Sequence, residues 1–359
     1  MNQTVEHRSD SMKKRLRWSF VALIVTLVCL FYIPLPYYIT RPGSAIELSP
    51  IIQVEDGTKD EKGTFMLTTV RMGEAKLLWY LYSKISPDVE LIDKNLVLSH
   101  GESDEDFTQR ELEVMRNSQK LAEAVAFKRA GYPVNIENHG VLVMGTIAGM
   151  PAKEVLKVGD VITKVDQTKL ITTQELLDYL KQKKPGDTIT VTYNRNGKEN
   201  SGTITLKALP DESGHATSRV GLGIRPENKQ VIEIPKKVTI SAEGIGGPSA
   251  GLMMSLEIYE QLEKKTDITK GYRIAGTGTI SADGTVGRIG GINHKIIAAD
   301  KAGAEIFFAP DEATTGDVVS NYQEAVETAK RIGTKMIVVP VKTFDDAITY
   351  LTNLKAKQS

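Results

Sequence analysis

Residues 244–251 read Gly-Ile-Gly-Gly-Pro-Ser-Ala-Gly and run straight into the apolar stretch Leu252–Leu262. Ser249 therefore stands where a flexible loop becomes a helix, among backbone N–H groups that no helical carbonyl satisfies. That setting suits a nucleophile beside an oxyanion hole, with Gly246, Gly247 and Ser249 as the loop that meets a substrate. Gly244, Gly246 and Gly247 let the main chain approach a ligand closely, and Pro248 presets φ for a first helical turn. Three other readings fit the same residues. A Gly-Pro-Ser run is a common helix N-cap, helix N-termini bind anions in general, and Gly247-Pro-Ser-Ala-Gly251 fits the Gly-x-Ser-x-Gly elbow of a Ser-acid-His hydrolase. No Gly-Lys-Ser/Thr closes any glycine loop of the chain, which argues against nucleotide hydrolysis. The elbow needs a later histidine, and only His294 follows, 45 residues on, too near for the elements that normally separate elbow and base.

A lysine solves the problem of the base, because an amine buried among apolar groups gives up its proton and can accept that of a serine. Lys295 is the best candidate, lying in Gly-Gly-Ile-Asn-His-Lys-Ile-Ile-Ala-Ala over residues 290–299, whereas Lys270 and Lys301 have polar neighbours. Its pKa must fall by roughly 2–3 units for this role, which burial can supply. The competing reading is a lysine that snorkels from an amphipathic helix into solvent. Consecutive helical residues point about 100° apart, so His294 and Lys295 cannot both serve one serine.

Composition narrows the setting. The 359 residues carry 45 basic and 45 acidic side chains, 41% hydrophobic residues and 6% aromatics. This is ordinary globular composition for about two domains plus extras; it excludes a multi-span membrane protein and a disordered polyelectrolyte, and gives no global field for nucleic acid. The lone Cys29 excludes an intramolecular disulfide and cysteine-based zinc. His7, His100, His139, His215 and His294 lack the spacing that would place two imidazoles on one helix face. No metal and no cofactor are expected.

Trp18–Thr40 carries no charge and is apolar over most of its length, long enough for one transmembrane helix over residues 18–40. Trp18 at one end and Phe31, Tyr32, Tyr37 and Tyr38 at the other suit the two headgroup layers. Residues 1–17 hold five basic side chains (Arg8, Lys13, Lys14, Arg15, Arg17) against two acidic ones (Glu6, Asp10). The positive-inside rule then puts the N-terminus in the cytoplasm and everything after residue 40 outside the cell, as a single-pass cell-membrane protein. A cleaved signal peptide is the rival; the apolar run exceeds the usual h-region and no clear Ala-x-Ala site follows.

Three blocks succeed the anchor. Residues 41–130 hold a strand, Gly63–Arg71, an acidic loop, Glu102–Asp106, and a helix, Leu112–Arg129. Residues 131–210 hold short strands and a helix, Thr173–Lys181, with Asn196-Gly197 marking a tight hairpin between Thr188–Tyr193 and Gly202–Leu206. Residues 211–359 alternate strands (Lys236–Ser241, Tyr272–Thr279, Glu305–Ala309, Lys335–Val341) with helices (Leu252–Leu262, Ile292–Ala302, Phe344–Leu351), an α/β pattern of helices layered on a sheet.

In order and spacing, GVLV, GMPA, LKVGDVI, a helix and a strand–NG–strand hairpin make residues 131–210 resemble a PDZ domain of the bacterial protease type. The resemblance implies a peptide docking as an added strand, its terminal carboxylate near Gly131, Tyr132 and Val134, with Ile136 following; Val134 and Ile136 also read simply as core strand residues, and Pro133 removes one donor there. GIGGPSAGLMM followed by AGTGTISADGTVGRIGGINHKIIAADKAGA resembles the Ser–Lys peptidase domain of Lon-type proteases. With the anchor and the PDZ-like block, the whole chain is similar to the membrane-anchored, PDZ-containing Lon-like serine proteases of Gram-positive bacteria. The resemblance implies Ser249 as nucleophile, Lys295 as general base, Thr277 as the threonine that helps hold the lysine, and residues 41–130 as the first part of the peptidase fold, with the PDZ domain inserted. One departure is Gly246, where many Lon enzymes carry an acid three residues before the serine. The expected architecture is thus an α/β (α+β) Lon-type peptidase domain with an inserted β-rich PDZ domain and one N-terminal transmembrane helix. The implied activity is ATP-independent cleavage of secreted peptides or extracytoplasmic segments of small membrane proteins, with the membrane as partner, no nucleic acid and no ATP, and homo-oligomerisation left open. A noncatalytic membrane-tethered PDZ adaptor is the alternative from another class.

Overall fold

A computed structural model describes residues 3–59, 62–99, 101–210, 215–263, 267–314 and 318–357, without the side chains of 3–16, 29 and 216. His100 and the side chains of His7, Arg8 and Lys13–Arg15 lie outside the described set. The chain divides into two compact units, Met1–Pro42 with Val70–Val97, and Gly43–Thr69 with Leu98–Ser359.

The elements begin with α1 (Gln3–Tyr32), β1 (Pro34–Glu47), β2 (Ile52–Val54), β3 (Thr64–Lys76), α2 (Leu77–Ser83), β4 (Glu90–Asp93), α3 (Lys94–Val97) and α4 (Asp104–Arg129). There follow β5 (Asn135–Thr146), β6 (Val161–Val165), β7 (Thr168–Lys169), α5 (Thr173–Leu180), β8 (Thr188–Arg195), β9 (Lys198–Thr205), β10 (Lys207–Pro210), β11 (Ala216–Gly221) and β12 (Ile224–Glu233). The chain closes with β13 (Val238–Ile240), α6 (Gly251–Leu262), β14 (Arg273–Gly276), β15 (Thr279–Ile280), β16 (Val286–Gly287), α7 (Ile292–Lys301), β17 (Ile306–Pro310), α8 (Asn321–Ile332), β18 (Ile337–Val341) and α9 (Phe344–Asn353).

In the smaller unit, α1 stops at Tyr32 and Pro34 opens a strand, so residues 34–40, expected inside a membrane helix, are extended instead. Pro34 and Pro36 explain the change, since neither can continue a helix. Tyr37–Thr40 of β1 pair antiparallel with Glu90–Asp93 of β4. No described helix is long and apolar enough to cross a membrane, although Trp18, Phe20, Leu23 and Phe31 of α1 are exposed.

In the larger unit, parallel strands in the order β18-β17-β14-β3 form the central sheet, with Ile274 and Gly276 of β14 opposite Phe65 and Leu67 of β3. Parallel strands buried on both faces read as near-continuous apolar runs, and β17, Ile-Phe-Phe-Ala-Pro, is buried throughout. On one face, α4, α6 and α9 share a core with Phe65, Phe127, Phe308 and Phe344. A second core joins α7 and α8 through Ile292, Ile296, Ala325 and Phe307. The acidic loop expected at Glu102–Asp106 is mostly the first turn of α4. Ser103 accepts from the Asp106 N–H, and Asp104, Glu105 and Asp106 lie where the helix dipole favours negative charge. Helix α8 went unread because its sequence is mostly polar and only a narrow stripe of Asn321, Ala325, Thr328 and Ala329 is buried.

The β-rich domain is one sheet, β12-β5-β6-β8-β9, with β7 beside β6, around Val141, Ile162, Leu176, Ile189 and Leu206. The hairpin turns at Asn196 (φ 52°) and Gly197 (φ 78°), the left-handed pair that a two-residue connection requires. This sheet runs past the expected boundary at 210, because β12 returns to pair with β5. The sequence Ile-Arg-Pro-Glu-Asn-Lys-Gln-Val-Ile-Glu hid that strand: charge and proline are what an edge strand carries.

Candidate active site

Ser249 lies two residues before α6, on a loop clamped from two sides. The Ser118 hydroxyl of α4 donates to the Pro248 carbonyl at 3.0 Å. The Ser249 carbonyl accepts from the Gly278 N–H at 2.8 Å and the Thr277 hydroxyl at 2.9 Å. Gly251 must be glycine here, since a Cβ would come within 2.7 Å of the Ile280 methyl and 2.9 Å of the Ser118 hydroxyl. The serine thus sits on a short rigid arch between α4, α6 and the segment following β14.

Lys295 comes from the first turn of α7, which starts after Gly291 in the left-handed region (φ 66°). Its side chain is 3% exposed. The Nζ donates to the Thr68 carbonyl at 2.7 Å and to Ser249 Oγ at 2.9 Å. Burial alone pushes its pKa down from 10.5 to about 7. The amine can therefore be neutral near pH 7 and, by rotation, present its lone pair to the hydroxyl. His294, the neighbouring imidazole, is fully buried in α7. It is Lys295 that reaches Ser249.

Thr277 is completely buried, and its hydroxyl holds the backbone of Ser249, where the family resemblance implied a contact with the lysine. The lysine is held by the Thr68 carbonyl of β3, a main-chain group that no side-chain motif reveals. The Gly247 N–H donates to the Glu111 carbonyl at 2.9 Å, so this donor of the expected oxyanion loop is engaged by α4. Among the described residues, no backbone carbonyl accepts from the Ser249 N–H. Gly246 is exposed and packs over Glu111 Cβ. No group of His, Cys, Asp and Glu among the described residues is arranged to hold a metal ion.

The residues expected to cradle a peptide carboxylate have other duties. Gly131 (φ 81°) and Tyr132 close the end of α4, with the Tyr132 N–H donating to the Phe127 carbonyl at 2.9 Å. Tyr132 and Val134 pack against the peptidase core, and Ile136 pairs with Ile232 across β5 and β12. Sequence reading missed Gly221-Leu222-Gly223, a turn with Gly223 at φ 87° at the head of β12. The outer edge of β12 pairs with no described strand and lies beside α5, where Asn228 Oδ1 accepts from the Thr173 N–H at 2.7 Å. Its alternation of Gly, Leu and Gly just before a strand was the available signal.

Comparison with known proteins agrees with both halves. Residues 125–206 match the PDZ domain, and residues 217–353 match the Lon protease (S16) C-terminal proteolytic domain. The Lon protease of Trichlorobacter lovleyi is 33% identical over 128 residues, 35% of this chain and 14% of the relative. A serine protease Do-like HtrA of Lactococcus lactis is 41% identical over 68 residues, 19% of this chain and 17% of the relative. The PDZ domain of an SdrC-like protein from Listeria monocytogenes is 36% identical, with 24% of this chain and 87% of that chain covered and a TM-score of 0.22. The matched segments span less than a fifth of these two curated relatives' own lengths. The chain carries a PDZ domain and a Lon-type proteolytic domain of the Ser–Lys serine peptidase class.

Proposed function

From a chain built of a PDZ domain and a Lon-type proteolytic domain, we propose a membrane-anchored serine endopeptidase that cleaves extended peptide without ATP. The observation that carries this reading is the 2.9 Å approach of Lys295 Nζ to Ser249 Oγ, with burial pushing the amine to about 7. Neutral Lys295 takes the hydroxyl proton as Ser249 Oγ attacks a peptide carbonyl. The Ser249 N–H faces the developing oxyanion, and the Gly246–Gly247 segment frames it. The ammonium then returns the proton to the leaving amine, and water releases the acyl group by the same route in reverse.

Substrates are secreted peptides or extracytoplasmic segments of small membrane proteins, because a chain without a P-loop has no engine of its own to unfold a folded protein. The uncharged stretch from Trp18 and the basic cluster before it support an anchor with the catalytic part outside the cell. The outer edge of β12, beside α5, pairs with no described strand and supports a peptide adding there as a strand.

The test is cleavage of a diverse unstructured peptide pool, without ATP, by the full chain in detergent, read by mass spectrometry beside Ser249→Ala. Cuts confined to the unmutated protein are expected. Equal cutting by both proteins, or none by either in detergent and in vesicles, would sink the peptidase reading and favour a noncatalytic adaptor.

A further inference from the structure

Helix α2 of the smaller unit, Leu-Leu-Trp-Tyr-Leu-Tyr-Ser, carries no charge between Lys76 and Lys84. Its inner side is occupied. Trp79 packs with Leu35 and Tyr37 of β1 on a small core of Ile39, Ala75 and Val89, and Arg41 stacks on its ring at 4.9 Å. The other side is open: Leu78, Leu81, Tyr82 and Ile85 are all exposed, Leu81 at 51% and Ile85 at 79%. The turn after α2 extends the coil, since the Ile85 N–H donates to the Tyr82 carbonyl at 3.1 Å. The spacing i, i+3, i+4, i+7 then sets these four side chains on one stripe, which a surface helix normally turns toward a core. Here it faces outward.

Two observations bear on what covers the stripe. Helix α2 packs against α1, and Leu35, three residues past the end of α1, shares the small core with Trp79. The exposed Phe31 and Tyr32 at that end of α1 thus stand close to α2, and whatever medium surrounds them reaches the stripe too. The second observation is length. The uncharged helical run Trp18–Tyr32 is 15 residues, about 22 Å at 1.5 Å per residue, against a hydrocarbon core of about 30 Å. A short span has an unfavourable mismatch, which an apolar element seated beside its outer end offsets. We propose that α2 and Ile85 form a second membrane contact, with the stripe sunk into the boundary between headgroups and acyl chains of the outer leaflet. Trp79, Tyr80 and Tyr82 among leucines, with Lys76 and Lys84 at the ends, suit that depth. The stripe is uncharged, so it takes up acyl chains and does not select a headgroup. The second contact fixes the tilt of the smaller unit on the membrane, which one helix leaves free. The inference rests on the membrane anchor proposed above.

The experiment places the full chain in phosphatidylcholine vesicles whose acyl chains carry bromine either near the carbonyls or near the bilayer centre. The sequence has two tryptophans, Trp18 and Trp79. Trp18→Phe/Trp79→Phe/Leu81→Trp puts a single tryptophan on the stripe. Its fluorescence is expected to drop about twofold with the shallow bromines and less with the deep ones, since an interfacial helix sinks only about 5–10 Å. Trp18→Phe alone keeps Trp79 as a native reporter and guards against misfolding of the triple variant. Shallow bromines should quench it, and adding Leu81→Asp/Ile85→Asp should remove most of that quenching. Trp79→Phe reads the anchor by itself through Trp18. Quenching of Trp18 with none at residues 79 and 81 overturns the proposal and leaves the anchor standing. So does quenching of Trp79 that the two aspartates leave unchanged. A tryptophan at residue 81 that is shielded from iodide yet blind to bromine also overturns it, because a second copy or another protein then covers the stripe. Absence of quenching at Trp18 as well as on the stripe overturns the anchor too.

Discussion

The hydroxyl of Thr277 donates to the carbonyl oxygen of Ser249 at 2.9 Å. A side chain after the central strand β14 therefore fixes the backbone of Ser249, the proposed nucleophile, rather than Lys295. Thr277→Val keeps the shape and removes the bond. Loss of one buried hydrogen bond costs about 1 kcal/mol, which, falling on the alignment of the nucleophile, predicts about a fivefold drop in kcat. Thr277→Ser should retain most of the rate. Steady-state kinetics on one peptide checks both; a valine variant with unchanged kcat would remove Thr277 from the positioning of Ser249.

Lys295 sets the pH dependence. Below about 7 the amine carries its proton and cannot accept another, so kcat should fall tenfold per pH unit there and level off above. Lys295→Arg, permanently charged, should be inactive across the range. Stability follows the opposite member of the pair. The unfolded chain keeps this proton up to 10.5, while the folded one releases it above about 7. Between those values the unfolded state binds more protons, so this group's destabilising contribution is greatest below pH 7 and fades as pH rises toward 10.5. Lys295→Met should stabilise the fold and raise its melting temperature, more at pH 6 than at pH 9, the charge-related gain at the acid end being on the order of 5 kcal/mol. Calorimetry at the two pH values measures it, and an equal gain at both would contradict a buried neutral amine.

The PDZ domain holds a charge inside it. Asp160 is 1% exposed and accepts from Arg195 Nε at 2.8 Å, Arg195 Nη2 at 2.7 Å and the Lys157 N–H at 2.8 Å. Removing one partner strands the carboxylate. Arg195→Ala should destabilise the domain by about 2–3 kcal/mol, below the full cost for a buried pair because Arg195 is partly exposed. Asp160→Asn/Arg195→Met should recover part of that loss. Urea unfolding followed by hydrogen exchange in β8 distinguishes this local loss from a global one.

The pairing of Ser249 with Lys295 was legible before any coordinates, because a glycine loop before an apolar helix and a lysine among isoleucines and alanines each carry a local physical signal. The Asn196-Gly197 hairpin, the helix ending before Gly303 and the apolar strand at Ile306–Pro310 were legible for the same reason, since turn chemistry and hydrophobic pattern are written within a few residues. Other parts depend on partners far away in the chain. Thr68 holds the lysine with a carbonyl, which every residue possesses. Strand β12 is polar and interrupted by Pro226, so only its pairing with β5 reveals it. Gly131–Val134 looked like a ligand loop, yet Gly131 and Tyr132 close off α4, and Tyr132 and Val134 enter a core that joins Phe127 of α4 to elements more than a hundred residues further on, such as α6. Local chemistry fixed which side chains could react; the distances, the burial that lowers the amine's pKa, and the grip of the Glu111 carbonyl of α4 on the Gly247 N–H arose only when remote segments packed together.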